Sequence, residues 1–286
     1  LSSNLRRTRA IWNILSEKHR EVIMIGWWVS WPAEVVHGKM VSLYAWPFVR
    51  TSMLNINQPV EFPPGATYPA GLMEELKPMV YRREDIKDGE LMGLDLDTLK
   101  ILLKQSNVYD PWYYAKDVSF LRMSEYLLKK EHDWSLFSVY LEGIDLVQHT
   151  FLRYYRPEKF KGVKEIEIEK LGNIIPDYYK WMDARVGELL SFADSRTVVC
   201  VISDHGMEES YGSIHYSGDH INSPPGVIIL AGGPIKKRAK IHGASITDIT
   251  PTLLYLLGFP VGEDMDGRVL KAVSYTHLRA HETVLD

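Results

Sequence analysis

Four short runs of Val, Ile, Leu and aromatic residues punctuate the chain: REVIMIGWW (20–28), SLFSVYL (135–141), RTVVCVIS (196–203) and GVIILAG (226–232). None alternates cleanly between apolar and polar positions, which is the pattern of strands covered on both faces. Helical spacing separates them. Ala10, Ile11, Ile14 and Leu15 share one face ahead of the first run, and Ile175, Tyr179, Met182, Val186 and Leu189 share one ahead of the third. A further helix is predicted from Asp248 through TLLYLL, stopped by Gly258 with Pro260 beyond it. Strands alternating with helices predict an α/β fold, a mainly parallel sheet flanked by helices. The rhythm breaks between about residues 44 and 117. There PVEFPPGATYP (59–69) and several charged stretches predict an inserted lobe or a long active-site loop.

Composition narrows the class. The chain has 286 residues, 45% of them hydrophobic, enough for one large domain or a domain with an inserted lobe. A net charge of −4 and a pI near 6.2 carry no nucleic-acid-binding signature. No apolar run approaches the roughly 20 residues that span a bilayer. The single cysteine, Cys200, excludes a disulfide framework and a cysteine zinc cluster, and is expected to fill core space. The tryptophans of GWWVSWP are expected to serve packing, and KEIEIEK (164–170) to form a solvated face or loop.

Both ends are unusual. The chain opens on LSSNLRRTRA without Met and reads as a fragment, which leaves its compartment unknown. Residues 273–286, VSYTHLRAHETVLD, continue no pattern and resemble translated sequencing adapter. They are set aside as a non-native tail, together with the i, i+4 pair His277 and His281, which leaves residues 1–272 as the domain.

In open α/β sheets, ligands bind beyond the carboxyl ends of the strands, and three Asp/His clusters fall at such places. VISDHGM ends the third run in Asp204 and His205. EGIDLVQHTF follows the second, with Asp145 and His149 one helical turn apart and facing one point. HYSGDHINSPPG precedes the fourth and offers His215, Asp219 and His220. Carboxylate oxygen and neutral imidazole nitrogen are ordinary zinc ligands. Such loops suit a two-metal centre of the kind that stabilises in-line displacement at phosphorus. Taken singly, Asp145 reads equally as a helix cap and Asp204–His205 as a polar turn.

The motifs EGIDLVQHTF, VISDHGM, GDHINSPPGVIILAGGPIK and DITPTLLYLLGFPVGEDMDGRVL occur in the order seen in the alkaline phosphatase superfamily. The sequence most resembles its type I phosphodiesterase and nucleotide pyrophosphatase branch, and TRAIWNILSEKHREV resembles bacterial members. The resemblance implies an alkaline-phosphatase-like fold and hydrolysis of small phosphate esters through two zinc ions and a phosphorylated Thr or Ser. It implies that Asp145, His149 and His220 hold one metal, with His215 the alternative to His220, and that Asp204 and His205 hold the second. The first strand, a further ligand Asp and the nucleophile are expected upstream of Leu1, so none of Thr8, Thr51, Ser52 or Ser203 is assigned as nucleophile. A fragment without that strand is expected to be poorly soluble and inactive. The rivals are a catalytically silent binding protein on the same fold, or a phosphomonoesterase, sulfatase or phosphoglycerate mutase.

Overall fold

The first predicted helix and strand lead the fold. Helix α1 (Ile11–Glu17) buries Trp12 and Leu15, and strand β1 (Val22–Ile25) buries all four of its residues. Successive strand side chains point to opposite faces, so burial of every one means that both faces are covered. The structure, a computed structural model, describes residues 2–46, 62–93, 112–211 and 216–273. They form two units: Leu1–Leu189 with Met207–Asn222, and Leu190–Gly206 with Ser223–Asp286.

In the first unit, β2 (Gly38–Val41) runs parallel to β1, with Val22 opposite Gly38. A short β3 (Thr67–Tyr68) pairs antiparallel with β2. Helix α2 (Leu72–Leu76) follows, then the long α3 (Trp112–Lys130). Strand β4 (Leu136–Val139) lies parallel to β1 on its other side, giving the order β3-β2-β1-β4. Three helices complete the unit: α4 (Gly143–Tyr155), α5 (Glu165–Leu171) and α6 (Ile174–Leu190). A mixed, mostly parallel sheet packed with helices is the predicted α/β architecture. KEIEIEK supplies most of α5, whose residues are largely exposed apart from Leu171.

One core joins these elements. Ile23 and Ile25 from β1 meet Phe120 and Leu127 from α3, Val147 and Phe151 from α4, and Tyr178 from α6. Leu72, Leu76, Tyr81 and Leu91, all within the predicted 44–117 insertion, pack into the same core. The tryptophans of GWWVSWP pack as well: Trp27 Nε1 donates to Ser138 Oγ at 3.0 Å and Trp31 Nε1 to the Pro64 carbonyl at 3.2 Å. On α6 the buried stripe differs from the predicted one. Ile175 and Met182 are buried, but Tyr179 is 45% exposed and Tyr178 is fully buried instead. The cause is chemical, since the Tyr178 hydroxyl donates to the interior carboxylate of Asp117 at 3.0 Å.

In the second unit, β5 (Val198–Ile202) and β8 (Ile228–Gly232) pair antiparallel, with Val198 opposite Gly232. In the first unit, β6 (Glu208–Glu209) and β7 (Gly218–Asp219) form a small ribbon. The β5–β8 pair departs from the expected strands buried on both faces: Val201 is 40% and Ile229 55% exposed. Helix α7 (Ile249–Leu256) stops just before Gly258, as its sequence predicts. Ile235, Leu270 and Val273 bury against one another in this unit. Among the described residues no helix is long and apolar enough to cross a membrane.

Leu127 is fully buried in the α3 layer of the core. Leu127→Ala is therefore expected to destabilise the first unit by about 2–5 kcal/mol, read as a lower denaturant midpoint. An unchanged midpoint would show that α3 does not carry the core.

Candidate metal centre

Helix α4 presents two of the predicted ligands. Asp145 sits in its first turn and His149 one turn later on the same face. The imidazole Nε2 lies 3.4 Å from Asp145 Oδ2, and Nδ1 lies 2.7 Å from the Gly218 carbonyl. A carbonyl only accepts, so Nδ1 carries a proton and Nε2 is the nitrogen that faces the carboxylate. That is the ring orientation a metal-ligating histidine needs.

Strand β7 is stitched to this helix by the residue before it. The Ser217 amide donates to the His149 carbonyl at 2.7 Å, and the Arg153 amide donates to Ser217 Oγ at 3.1 Å. Gly218 follows because nothing larger fits: a Cβ there would stand 2.6 Å from the Gln148 carbonyl oxygen. Asp219 then accepts the amides of His220 at 2.6 Å and Ile221 at 3.2 Å, an Asx turn that fixes the start of the next loop. The result brings the His220 ring to 5.1 Å from the His149 ring, centroid to centroid, at 67° between planes. In the first unit the His149 ring thus has Asp145 at its Nε2 edge and the His220 ring beside it.

The Asp145–His149 pair has the separation of two ligands on one metal ion. Two ligands each about 2.0–2.1 Å from a tetrahedral zinc stand roughly 3.3 Å apart, close to the 3.4 Å between Asp145 Oδ2 and His149 Nε2. The same distance is long for an N–H···O hydrogen bond. Burial favours a neutral His149 ring, but the Asp145 carboxylate and the Gly218 carbonyl outweigh it and raise the proton affinity above the usual histidine range.

Asp204 and His205 lie in the second unit, just past the end of β5. His205 Nδ1 lies 2.9 Å from the Gly206 carbonyl, and Nε2 lies 3.6 Å from Asp204 Oδ1. The device of α4 recurs: a glycine carbonyl holds the Nδ1 proton and Nε2 points at an aspartate. Ser203 Oγ donates to the His205 carbonyl at 2.7 Å. Burial pushes the Cys200 thiol up to about 11, which keeps it a thiol rather than a nucleophile. His215, Thr51, Ser52, His277 and His281 lie outside the described residues.

With this geometry in place, the type I phosphodiesterase / nucleotide pyrophosphatase family model matches residues 5–240. The chain belongs to that family. It is also 38% identical over 72 residues to 2,3-bisphosphoglycerate-independent phosphoglycerate mutases from Agrobacterium fabrum (strain C58) and Cereibacter sphaeroides. Each match covers 24% of this chain and 14% of the mutase. The likeness to the mutases is therefore confined to a small part of either protein.

Three features of this family member escaped the sequence reading. One is the Ser217 stitch, whose Oγ serves backbone groups of a helix 64 or more residues upstream. The second is Asp117, whose carboxylate accepts the amides that open α4. The third is a cavity of about 420 Å³ lined by Arg153, Lys159, Phe160, Lys161, Ser210, Tyr211 and Ser217. It opens beside the same helix–strand seam, and the Phe160 and Tyr211 rings meet there at 5.3 Å. Arg153, Lys159 and Lys161 look like ordinary surface charge in the sequence until the fold places them around one hollow.

The Asp145 carboxylate is one of the groups that raise the His149 proton affinity. In metal-free protein, Asp145→Asn is expected to lower the His149 titration midpoint, because burial then acts with less opposition. Ring-proton NMR against pH checks this, and a midpoint that stays or rises would contradict the assigned geometry.

Proposed function

We propose that the protein is a metal-dependent hydrolase of small phosphate esters, phosphodiesterase-like, that uses two zinc ions. One is held by Asp145, His149 and His220, and the second by Asp204 and His205. The observation that carries this reading is the repeated ring orientation. In two separate local settings a glycine carbonyl holds a histidine Nδ1 proton and turns Nε2 toward an aspartate 3.4 or 3.6 Å away. Family membership supports the reaction class.

Zinc in such a set supplies Lewis-acid stabilisation of charge developing at a phosphoryl group. The chain's own residues do the rest. Gly218 and Gly206 orient the two imidazoles, and Asp219 fixes the loop that carries His220. Arg153, Lys159 and Lys161 line the cavity beside α4 and favour an anion there, while Phe160 and Tyr211 offer aromatic faces. That lining suits an ester with an aromatic or nucleoside leaving group. No described hydroxyl is assigned as nucleophile. The short likeness to phosphoglycerate mutases favours one second reading, transfer of a phosphoryl group between hydroxyls of a small phosphorylated acid.

Zinc titration against a chromophoric chelator tests the metal assignment. His149→Ala is expected to weaken zinc binding by more than the roughly 10- to 100-fold that loss of an outer partner costs. Undiminished binding would remove the α4 site. The zinc-loaded gene product is expected to hydrolyse bis(4-nitrophenyl) phosphate and to stop after chelation. Zinc binding without hydrolysis of any aryl phosphate ester would instead mark a silent binding protein, and conversion of 3- to 2-phosphoglycerate the mutase reading.

A further inference from the structure

The start of α4 has no cap of its own. Its N-cap residue, Glu142, makes no side-chain capping bond, and Gly143 is buried, so water does not serve its amide. The partner comes from α3. Asp117 Oδ1 accepts the Glu142 amide at 3.1 Å, and Oδ2 accepts both the Gly143 amide at 3.0 Å and the Tyr178 hydroxyl at 3.0 Å. Asp117 and Tyr178 are both 0% exposed. The neighbouring Lys116 pairs with the Glu142 carboxylate and lies 5.1 Å above the Trp112 ring.

Gly143 is shaped to this contact. A Cβ there would stand 1.9 Å from the Tyr178 oxygen and 2.5 Å from Asp117 Oδ2. The two carboxylate oxygens take two successive amides, so they fix the helix start in rotation as well as along its axis. Asp145 follows two residues later and His149 one turn beyond.

A Ser or Asp at position 142 would cap the amides of residues 144 or 145, not those of Glu142 and Gly143, which take a buried carboxylate from α3 instead. The arrangement is costly. Burial pushes the Asp117 carboxyl up to about 7 against the pull of Lys116, Tyr178 and Gly143. A carboxyl raised in the folded state binds its proton more tightly there than in the unfolded chain. Its contribution to stability therefore falls as pH rises from the ordinary carboxylate range toward 7. Stability alone does not account for an ionised carboxylate at this position. Registration of the helix does.

Resting on the metal reading above, we infer that Asp117, with Tyr178, is a positioning residue for the zinc site. By gripping the start of α4 it sets where Asp145 and His149 stand, and so sets metal affinity without touching the metal.

The test compares Asp117→Asn, Tyr178→Phe and Leu127→Ala with the unaltered protein, using zinc competition titrations and the visible spectrum of the cobalt(II)-loaded site. Asp117→Asn is expected to weaken zinc binding about 10- to 100-fold and to shift the cobalt bands. Tyr178→Phe keeps both backbone bonds and should cost about fivefold, which preserves the test if the Asn variant does not fold. Leu127→Ala lowers stability yet should keep wild-type affinity and spectrum. Wild-type zinc affinity in both Asp117→Asn and Tyr178→Phe, or equal losses in Asp117→Asn and Leu127→Ala, overturns the inference alone. An unaltered protein that binds neither zinc nor cobalt overturns the metal reading and this inference with it.

Discussion

A helix that begins inside a protein must find acceptors for its first amides, and α4 finds them on another helix. The Asp117 carboxylate takes the amides of Glu142 and Gly143, and the α4 half of the proposed site hangs from that junction. From it α4 carries Asp145 and His149. The backbone of α4 in turn receives Ser217, and the strand anchored there delivers Gly218, Asp219 and His220. The order of dependence runs from core to helix start, from helix to strand, and from strand to loop. Each step is a backbone hydrogen bond at a place where a glycine or a buried polar group leaves little room to slip.

The two histidine pairs show how little sequence such a site requires. Asp145 and His149 are spaced by a helical turn, whereas Asp204 and His205 are adjacent after a strand. The backbone differs completely, yet each places Nδ1 on a glycine carbonyl and Nε2 near an aspartate oxygen. What recurs is a requirement of the imidazole, whose two nitrogens act as separate groups once one is held by an acceptor.

Legibility followed range. The four apolar runs became strands, and α1 and α7 formed where their spacing and stop signals placed them, because those signals are local. Asp145 with His149, and Asp204 with His205, were visible for the same reason. Asp117 was not, since its partners lie 26 and 61 residues away and a charged residue within an amphipathic helix looks like surface. The buried stripe of α6 also misled: apolarity alone favours Tyr179, but a hydroxyl that finds an interior carboxylate draws Tyr178 inward. Strand direction lies beyond periodicity altogether. The runs that form β5 and β8 read like β1, yet they pair antiparallel with exposed apolar side chains, because pairing sense depends on neighbours that a single run does not encode.

Burial and the Asp145 carboxylate pull His149 in opposite directions, and a metal in the proposed site would relieve both. Burial disfavours the charged imidazolium, while Asp145 favours positive charge near Nε2. A proton satisfies the carboxylate only by charging the ring, against the cost of burial. A cation placed between Nε2 and the carboxylate satisfies both, because the ring stays neutral and the positive charge sits where the aspartate attracts it. Gly218 completes the arrangement by holding Nδ1–H, so the only lone pair the ring offers is the one facing Asp145. Partial burial, which weakens a histidine as a base, thus strengthens it as a ligand whenever a carboxylate stands at the ligand edge.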